Sequence, residues 1–178
     1  MQRILGSIVA VTLFAASPVV FAKGPKKLEV EEYVTIDAAP DVVWAKIKNF
    51  SGLNAWHPAV EKVEIVEGTD NKPGAVRVLT LKGGGTIKEK LLKYSDRERE
   101  MKYSILEGVL PVSNYKSEIE VKPGKTQGTT VVEWEGEFKR KDLSDNPKEG
   151  ADDKAAVDTM TGVYKAGLEN LKKLVEGK

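Results

Sequence analysis

The sequence of 178 residues has no cysteine and only one histidine. Without cysteine the chain can form no disulfide bond, thiolate metal site or cysteine nucleophile. A single histidine leaves too few ligands for a typical tetrahedral zinc site. The chain also lacks an excess of charge of one sign, because 28 Lys and Arg face 27 Asp and Glu. That balance provides no general attraction to nucleic acid. We therefore expect no metal, no cofactor and no nucleic-acid partner.

Long hydrophobic runs are lacking except at the N-terminus. Arg3 precedes an almost uniformly apolar stretch over residues 4–14, and Val20 and Ala22 supply the small residues of a cleavage site. This layout is typical of a bacterial secretory signal peptide, and the apolar run is short for a membrane span. We expect cleavage after Ala22 and a periplasmic location. The alternatives are a membrane anchor or a buried first helix.

Cleavage would leave residues 23–178 as the mature chain, with no stable membrane span. It would remove Arg3 and no acidic residue, so the mature protein would carry equal numbers of bases and acids. A composition of 40% hydrophobic and 31% charged residues is ordinary for a globular domain. A chain of this length buries enough surface for one core, so we expect a single domain.

The mature chain reads as strands followed by a helix. Stretches rich in β-branched and aromatic residues, separated by short glycine, proline or charged turns, predict antiparallel strands. They cover residues 28–36, 60–67, 75–81, 86–95, 100–107, 112–122 and 129–139. Apolar residues at helical spacing from Val43 to Phe50 predict a short helix, broken at Gly52, with one further turn to Trp56. Residues 151–176 carry a wide apolar stripe at helical spacing, which predicts a long amphipathic helix.

These elements predict an α+β fold. An antiparallel sheet of about six to seven strands would wrap around the long C-terminal helix, because the apolar stripe of that helix needs a large partner face. Two short helices would follow the first strand.

Period-two alternation predicts which side chains face the helix, and it brings two charges inward. Arg77 shares a strand face with Leu79, and Glu89 shares one with Ile87 and Leu91. A hairpin turn about Gly84 would place Leu79 opposite Glu89, with Arg77 on the diagonal. Such a pair, among inward tyrosines and a serine, predicts a partly polar cavity rather than a dry core. The alternative is an inverted strand with Arg77 on the surface.

Candidate cavity or ligand-binding residues come from these inward faces, from the apolar stripe of the helix and from the single histidine. They are His57, Arg77, Glu89, Tyr103, Tyr115, Ser117, Trp134, Met160 and Tyr164. No residue is assigned a catalytic role. His57 could act as an acid or base, or it could pack beside Trp56 and cap a backbone group. Glu89 and Arg77 could be a base and an anion clamp, or a purely structural pair.

The opening of the mature chain resembles the SRPBCC superfamily, which includes polyketide cyclases and dehydrases, lipid-transport (START-like) domains and birch-pollen allergens. The resemblance lies in Ile36-Asp37-Ala38-Ala39-Pro40-Asp41-Val42-Val43-Trp44, Phe50 and Trp56-His57-Pro58-Ala59-Val60. It implies a helix-grip fold over about residues 28–176, with a hydrophobic cavity between sheet and helix.

A narrower resemblance links the chain to the secreted branch that includes the methanol-oxidation accessory proteins (MxaD type). It lies in the signal peptide, Trp56-His57-Pro58-Ala59-Val60, Arg77-Val78-Leu79-Thr80-Leu81, Leu110-Pro111-Val112-Ser113-Asn114-Tyr115 and Tyr164-Lys165-Ala166-Gly167-Leu168-Glu169-Asn170-Leu171. This resemblance implies a non-catalytic periplasmic protein that assists methanol dehydrogenase and its cytochrome c partner. The alternatives are a carrier of a small apolar molecule or lipid, and a cyclase or dehydratase acting in the cavity.

Overall fold

The computed structural model describes residues 25–177, and the predicted signal peptide lies outside them. Between these limits the chain forms one sheet, two α-helices and a 3₁₀ segment. In chain order they are β1 (Leu28–Ile36), α1 (Pro40–Ile47), the 3₁₀ segment (Phe50–Ala55), β2 (Val60–Glu67), β3 (Val76–Leu81), β4 (Thr86–Ser95), β5 (Glu100–Gly108), β6 (Val112–Pro123), β7 (Thr130–Arg140) and α2 (Asp153–Glu176).

The sheet has seven strands in the order β1-β7-β6-β5-β4-β3-β2, and every pairing is antiparallel. The chain therefore runs as a meander from β2 to β7, and β1 adds to the far edge beside β7. The long helix α2 packs against β1 and β7. This arrangement confirms the predicted α+β helix-grip fold. None of the described helices is both long and apolar enough to cross a membrane.

Local signals account for where the helices begin and end. Pro40 stands at the first turn of α1, where a missing N–H leaves no helical hydrogen bond unmade. Asp152 caps α2, since its carboxylate accepts a hydrogen bond of 2.7 Å from the Ala155 amide. Gly177 ends α2 in the left-handed conformation that glycine tolerates. The short helix ends at Ile47 rather than running to Phe50, where the 3₁₀ segment starts.

The predicted register of the β3–β4 hairpin was wrong by two residues. Arg77 lies directly opposite Glu89, and Leu79 lies opposite Ile87. The turn is centred on Gly83 rather than Gly84, because the Leu81 amide bonds to the carbonyl of Gly85, which has a φ of 86°. A left-handed glycine at this position lets the strands close one residue earlier.

Burial follows the predicted alternation on the face that α2 covers. On β7, Thr130, Val132, Trp134 and Phe138 are buried, and the glutamates between them are more exposed. On β4, Ile87, Glu89 and Leu91 are buried. The face of the sheet towards α2 is called the inner face below, and the opposite face the outer face.

Candidate functional site

A cavity of about 70 Å³ lies between the inner face of the sheet, the 3₁₀ segment and α2. Its wall is mainly aliphatic and aromatic, and its titratable groups are His57, Glu89 and two tyrosines. The lining residues are Leu53, His57, Ala59, Val60, Leu79, Leu81, Ile87, Glu89, Tyr103, Ile105, Leu110, Tyr115, Trp134, Met160 and Val163.

Glu89 of this wall forms a buried ion pair with Arg77, which lies behind it. The Arg77 Nε donates to Glu89 Oε2 at 2.7 Å, and Arg77 Nη2 lies 2.6 Å from the same oxygen. The side chains are only 3% and 6% exposed. Hydrogen bonds of this charged kind are strong, and they hold Glu89 in one orientation.

The guanidinium of Arg77 is also fixed from its other sides. Arg77 Nη1 donates to the Phe50 carbonyl, the guanidinium carbon lies 4.0 Å from the Phe50 ring centroid, and the Tyr103 ring centroid is 5.3 Å away. Both rings offer cation–π contacts. Burial raises the pKa of Glu89, and the charge and hydrogen bonds of Arg77 oppose that rise. Because Phe50 supplies both a carbonyl and a ring that hold Arg77, the 3₁₀ segment positions the ion pair.

His57 is 3% exposed and uses both ring nitrogens. Its Nδ1 accepts a hydrogen bond of 3.2 Å from the Ala59 amide, so Nε2 is assigned the proton that it donates to the Val163 carbonyl at 3.0 Å. Burial lowers the pKa of His57, the bond to Val163 opposes this, and the charge of Arg77 lowers it further. The neutral imidazole therefore joins the segment just before β2 to α2 through two hydrogen bonds.

A hydrogen-bonded aromatic network covers the floor of the cavity. The indole N–H of Trp134 donates to the Tyr103 hydroxyl at 2.9 Å and to Ser117 Oγ at 3.0 Å. The Tyr115 and Tyr164 hydroxyls lie 2.6 Å apart. Burial is the main cause that raises the pKa of Tyr103 to about 12, and it raises the pKa values of Tyr115 and Tyr164 as well. These phenols therefore stay neutral and act as hydrogen-bonding groups.

Two glycines make room for this network. A Cβ on Gly136 would lie 2.1 Å from the Tyr164 hydroxyl, and a Cβ on Gly167 would lie 2.7 Å from His57 Cδ2 and 2.8 Å from Trp134 Cζ3. The absence of a side chain at Gly167 lets α2 approach these rings closely. Trp134 and Tyr164 stack with ring centroids 4.6 Å apart.

The structure places all the predicted candidate residues inside the protein, but it divides them. The cavity is lined by His57, Glu89, Tyr103, Tyr115, Trp134 and Met160. In contrast, Arg77, Ser117 and Tyr164 lie behind its wall, where they form hydrogen bonds to the lining residues Glu89, Trp134 and Tyr115, respectively. The assignment of all these residues to a ligand site stays a prediction.

Sequence reasoning missed Phe50, Gly136, Gly167 and Val163 as residues that shape the site. Phe50 entered the prediction only through helical spacing and the family resemblance, not as a group that would hold Arg77. No local pattern shows that a carbonyl at Val163 will meet a histidine more than a hundred residues away.

The arrangement is better suited to binding than to proton transfer. His57 has a hydrogen-bond partner at each ring nitrogen, so it would have to give up one of them to act on a ligand. Glu89 is held through Oε2 by a fixed cation, Arg77. Within residues 25–177, no group of three or more histidine or acidic side chains is placed to hold a metal ion.

Comparisons with known proteins agree with this geometry. Residues 27–176 match the family model described as "Polyketide cyclase / dehydrase and lipid transport". The solved structure of the protein XoxI from Bacillus cereus is 33% identical, with a TM-score of 0.72 over 83% of this chain and 95% of that one. A putative uncharacterised protein from Bacillus thuringiensis is 32% identical, with a TM-score of 0.73 over 84% and 99% of the two chains.

A protein from Nitrosospira multiformis is 29% identical, with a TM-score of 0.68 over 82% of this chain and 94% of that one. The curated proteins give no match. Because the family model covers most of the sequence and includes every element of the sheet and both α-helices, the chain belongs to the polyketide cyclase/dehydrase and lipid transport family of the SRPBCC superfamily.

Proposed function

We propose that this protein is a non-catalytic binding protein that holds an apolar group in the cavity between its sheet and α2. The proposal depends on one observation: the wall of the cavity is mostly apolar, and its carboxylate and its histidine both lack an uncompensated charge. The carboxylate in the wall, Glu89, is bonded twice to Arg77, and the histidine in the wall is buried and held neutral. Ligand sites combine mostly apolar walls with a few fixed polar groups in this way.

Native mass spectrometry of protein purified from the periplasm tests the binding function. We expect a reproducible added mass on the wild-type protein. Val163→Phe places a ring in the cavity and should abolish the added mass. Val157→Phe is the matched control, because Val157 also lies on α2 and packs against the core but does not line the cavity. A bare mass in every wild-type preparation would contradict the proposal.

The main alternative is an enzyme of cyclase or dehydratase type that uses Glu89 or His57. His57→Ala and Glu89→Gln discriminate between the two functions. Under the binding proposal, neither change removes a chemical step, and any effect follows from altered folding or affinity. If either variant stayed folded but lost turnover of a defined substrate, the non-catalytic proposal would be wrong.

We propose further that the protein is exported and assists methanol dehydrogenase and its cytochrome c partner. Support comes from the signal-peptide layout and from the sequence stretches that resemble the methanol-oxidation accessory branch. Export predicts a mature chain that begins at Lys23, which N-terminal sequencing can measure. The partner proposal predicts faster methanol-dependent reduction of the cytochrome when the protein is added, with serum albumin as the inert control. An unchanged rate would contradict it.

A further inference from the structure

The hairpin of β5 and β6 is open at its turn end. Its ladder stops at the pair Ser104–Lys116, although β5 continues to Gly108 and β6 begins at Val112. In a regular hairpin the strands would stay paired up to the turn. Here the last residues of β5 and the first residues of β6 face each other without pairing. We call this gap the split.

Irregularities in both strands produce the split. On β6, Asn114 has a φ of 50°, and the pairing with β7 shifts between Ser113 and Lys116. On β5, the pairing with β4 skips Leu106, which is 52% exposed. Bulges of this kind bend a strand away from its neighbour. Because β5 stays bonded to β4 and β6 to β7, the split is a built feature of the sheet.

The split lies between grooves on the surface and the buried cavity, and these spaces share lining residues. A groove of about 630 Å³ and a second of about 460 Å³ meet at it and share Ile105, Asn114 and Tyr115. Ile105 and Tyr115 also line the buried cavity. The same two side chains therefore stand between the buried cavity and the surface.

The buried cavity alone is too small for a typical ligand. It measures about 70 Å³, whereas small-molecule sites usually measure roughly 300–1,000 Å³. The 630 Å³ groove lies within that range. A ligand with one end in the buried cavity must therefore place the rest of its length elsewhere. The 630 Å³ groove is adjacent, because it shares lining residues with the buried cavity at the split.

We propose that the split is the second compartment of the ligand site and that the ligand is an elongated amphiphile. Its short apolar end lies in the buried cavity, and its body passes between Ile105 and Tyr115 into the 630 Å³ groove. This inference rests on the proposed binding function, and it specifies the ligand class and the route of entry.

The chemistry of the groove fits such a molecule. Leu106, Val109 and Leu110 supply apolar walls, and Asn114 and Lys141 supply polar groups. The backbone edges that face the split are not paired with each other, so they can bond to a ligand or to water. The outer part of the ligand should therefore carry hydrogen-bonding groups.

A single-cysteine experiment tests the proposal, because the chain has no other thiol. Leu106→Cys is labelled with a bulky maleimide to fill the groove. Leu92→Cys with the same label is the matched control, since Leu92 is a similarly exposed leucine, 41% against 52%, outside this groove. Binding of benzene and of octan-1-ol is followed by the NMR shifts of the Met160 and Ile105 methyl groups.

Octan-1-ol should bind labelled Leu106→Cys about tenfold more weakly than the unlabelled variant, as the loss of roughly two buried methylene groups would produce. Benzene, which needs only the buried cavity, should keep its affinity, and labelled Leu92→Cys should bind both probes normally. Equal octan-1-ol affinity with and without the label on Leu106→Cys would overturn the second compartment. A wild-type protein that binds neither probe would overturn the proposed binding function as well.

Discussion

The two faces of the sheet use the same kinds of charge in opposite ways. On the inner face Glu89 has one cationic partner, Arg77, and both are nearly inaccessible to water. On the outer face Lys102 lies 2.6 Å from Glu118 and 3.5 Å from Glu100, and Glu100 is also bonded to Lys93. The inner pair is a fixed structure with no substitute for either member. In the outer group the charges are shared, because Lys102 contacts two glutamates and Glu100 contacts two lysines.

The outer face also tolerates like charges in direct contact across strands. Glu118 lies opposite Glu135, and Glu120 lies opposite both Glu100 and Glu133. Such pairs are unfavourable unless cations or protons reduce the repulsion. The pKa of Glu118 is raised to about 7, mainly by partial burial and to a lesser extent by the neighbouring Glu100. Burial and the number of partners, rather than residue type, therefore decide what a charge contributes to stability.

Removing the inner cation should have the largest effect. Arg77→Met leaves the Glu89 carboxylate buried without a partner, which should lower the free energy of unfolding by about 3–5 kcal/mol at pH 7. The loss should shrink as the pH falls, because protonation of Glu89 removes the stranded charge. Urea unfolding at several pH values measures both effects.

The matched double variant Arg77→Met/Glu89→Gln should recover most of that loss, since it leaves no buried charge. Lys102→Met on the outer face should change stability by less than about 1 kcal/mol. The comparison between the faces breaks down if Arg77→Met and Lys102→Met destabilise equally.

The close approach of α2 to the inner face provides the next largest effect. Gly167→Ala places a methyl group against the rigid rings of His57 and Trp134 and should destabilise the fold by about 1–3 kcal/mol. Gly162→Ala is its control on the same helix, because nothing lies within 4 Å of that Cβ. It should stabilise the protein by up to about 1 kcal/mol. If the midpoint of thermal unfolding shifted in the same direction for both variants, the close approach of α2 at Gly167 would be contradicted.

A smaller effect should come from Glu118. Its folded pKa of about 7 lies above the ordinary value of 4.5, so the folded state holds the proton more tightly. The resulting stability is present at low pH and is lost as the pH rises through about 7. Because the site is partly exposed, the change should be at most about 1 kcal/mol. Glu118→Gln should reduce the change in unfolding free energy between pH 5 and 8. An unchanged pH dependence would count against the raised pKa of Glu118.

The smallest effect concerns His57, where the sign is reversed. Its pKa is lowered from 6.5, so the folded state binds fewer protons than the unfolded chain, and stability is lost as the pH falls below about 6.5. Because the chain has one histidine, its imidazole NMR signal is unambiguous. The midpoint should lie below 6.5. A midpoint at or above 6.5 would show that the ring is not held neutral by burial.

Much of the fold could be predicted because alternation and helical periodicity are local. The inward set on β7 and the stripe on α2 follow directly from the order of residues, and the structure confirms the helix-grip fold built from them. The site was harder to predict. Alternation placed Glu89 inward, but the choice of partner depended on a glycine turn whose register differed from the expected one.

The spacing of residues along the chain was enough to predict the seven strands, the closing helix and the inward direction of a charged pair, because each of these depends on near neighbours. Three features emerged only in the folded protein: Arg77 lies behind Glu89, Gly167 leaves room for His57, and β5 and β6 separate beside the cavity. These features depend on contacts between residues far apart in the chain, which no local pattern encodes.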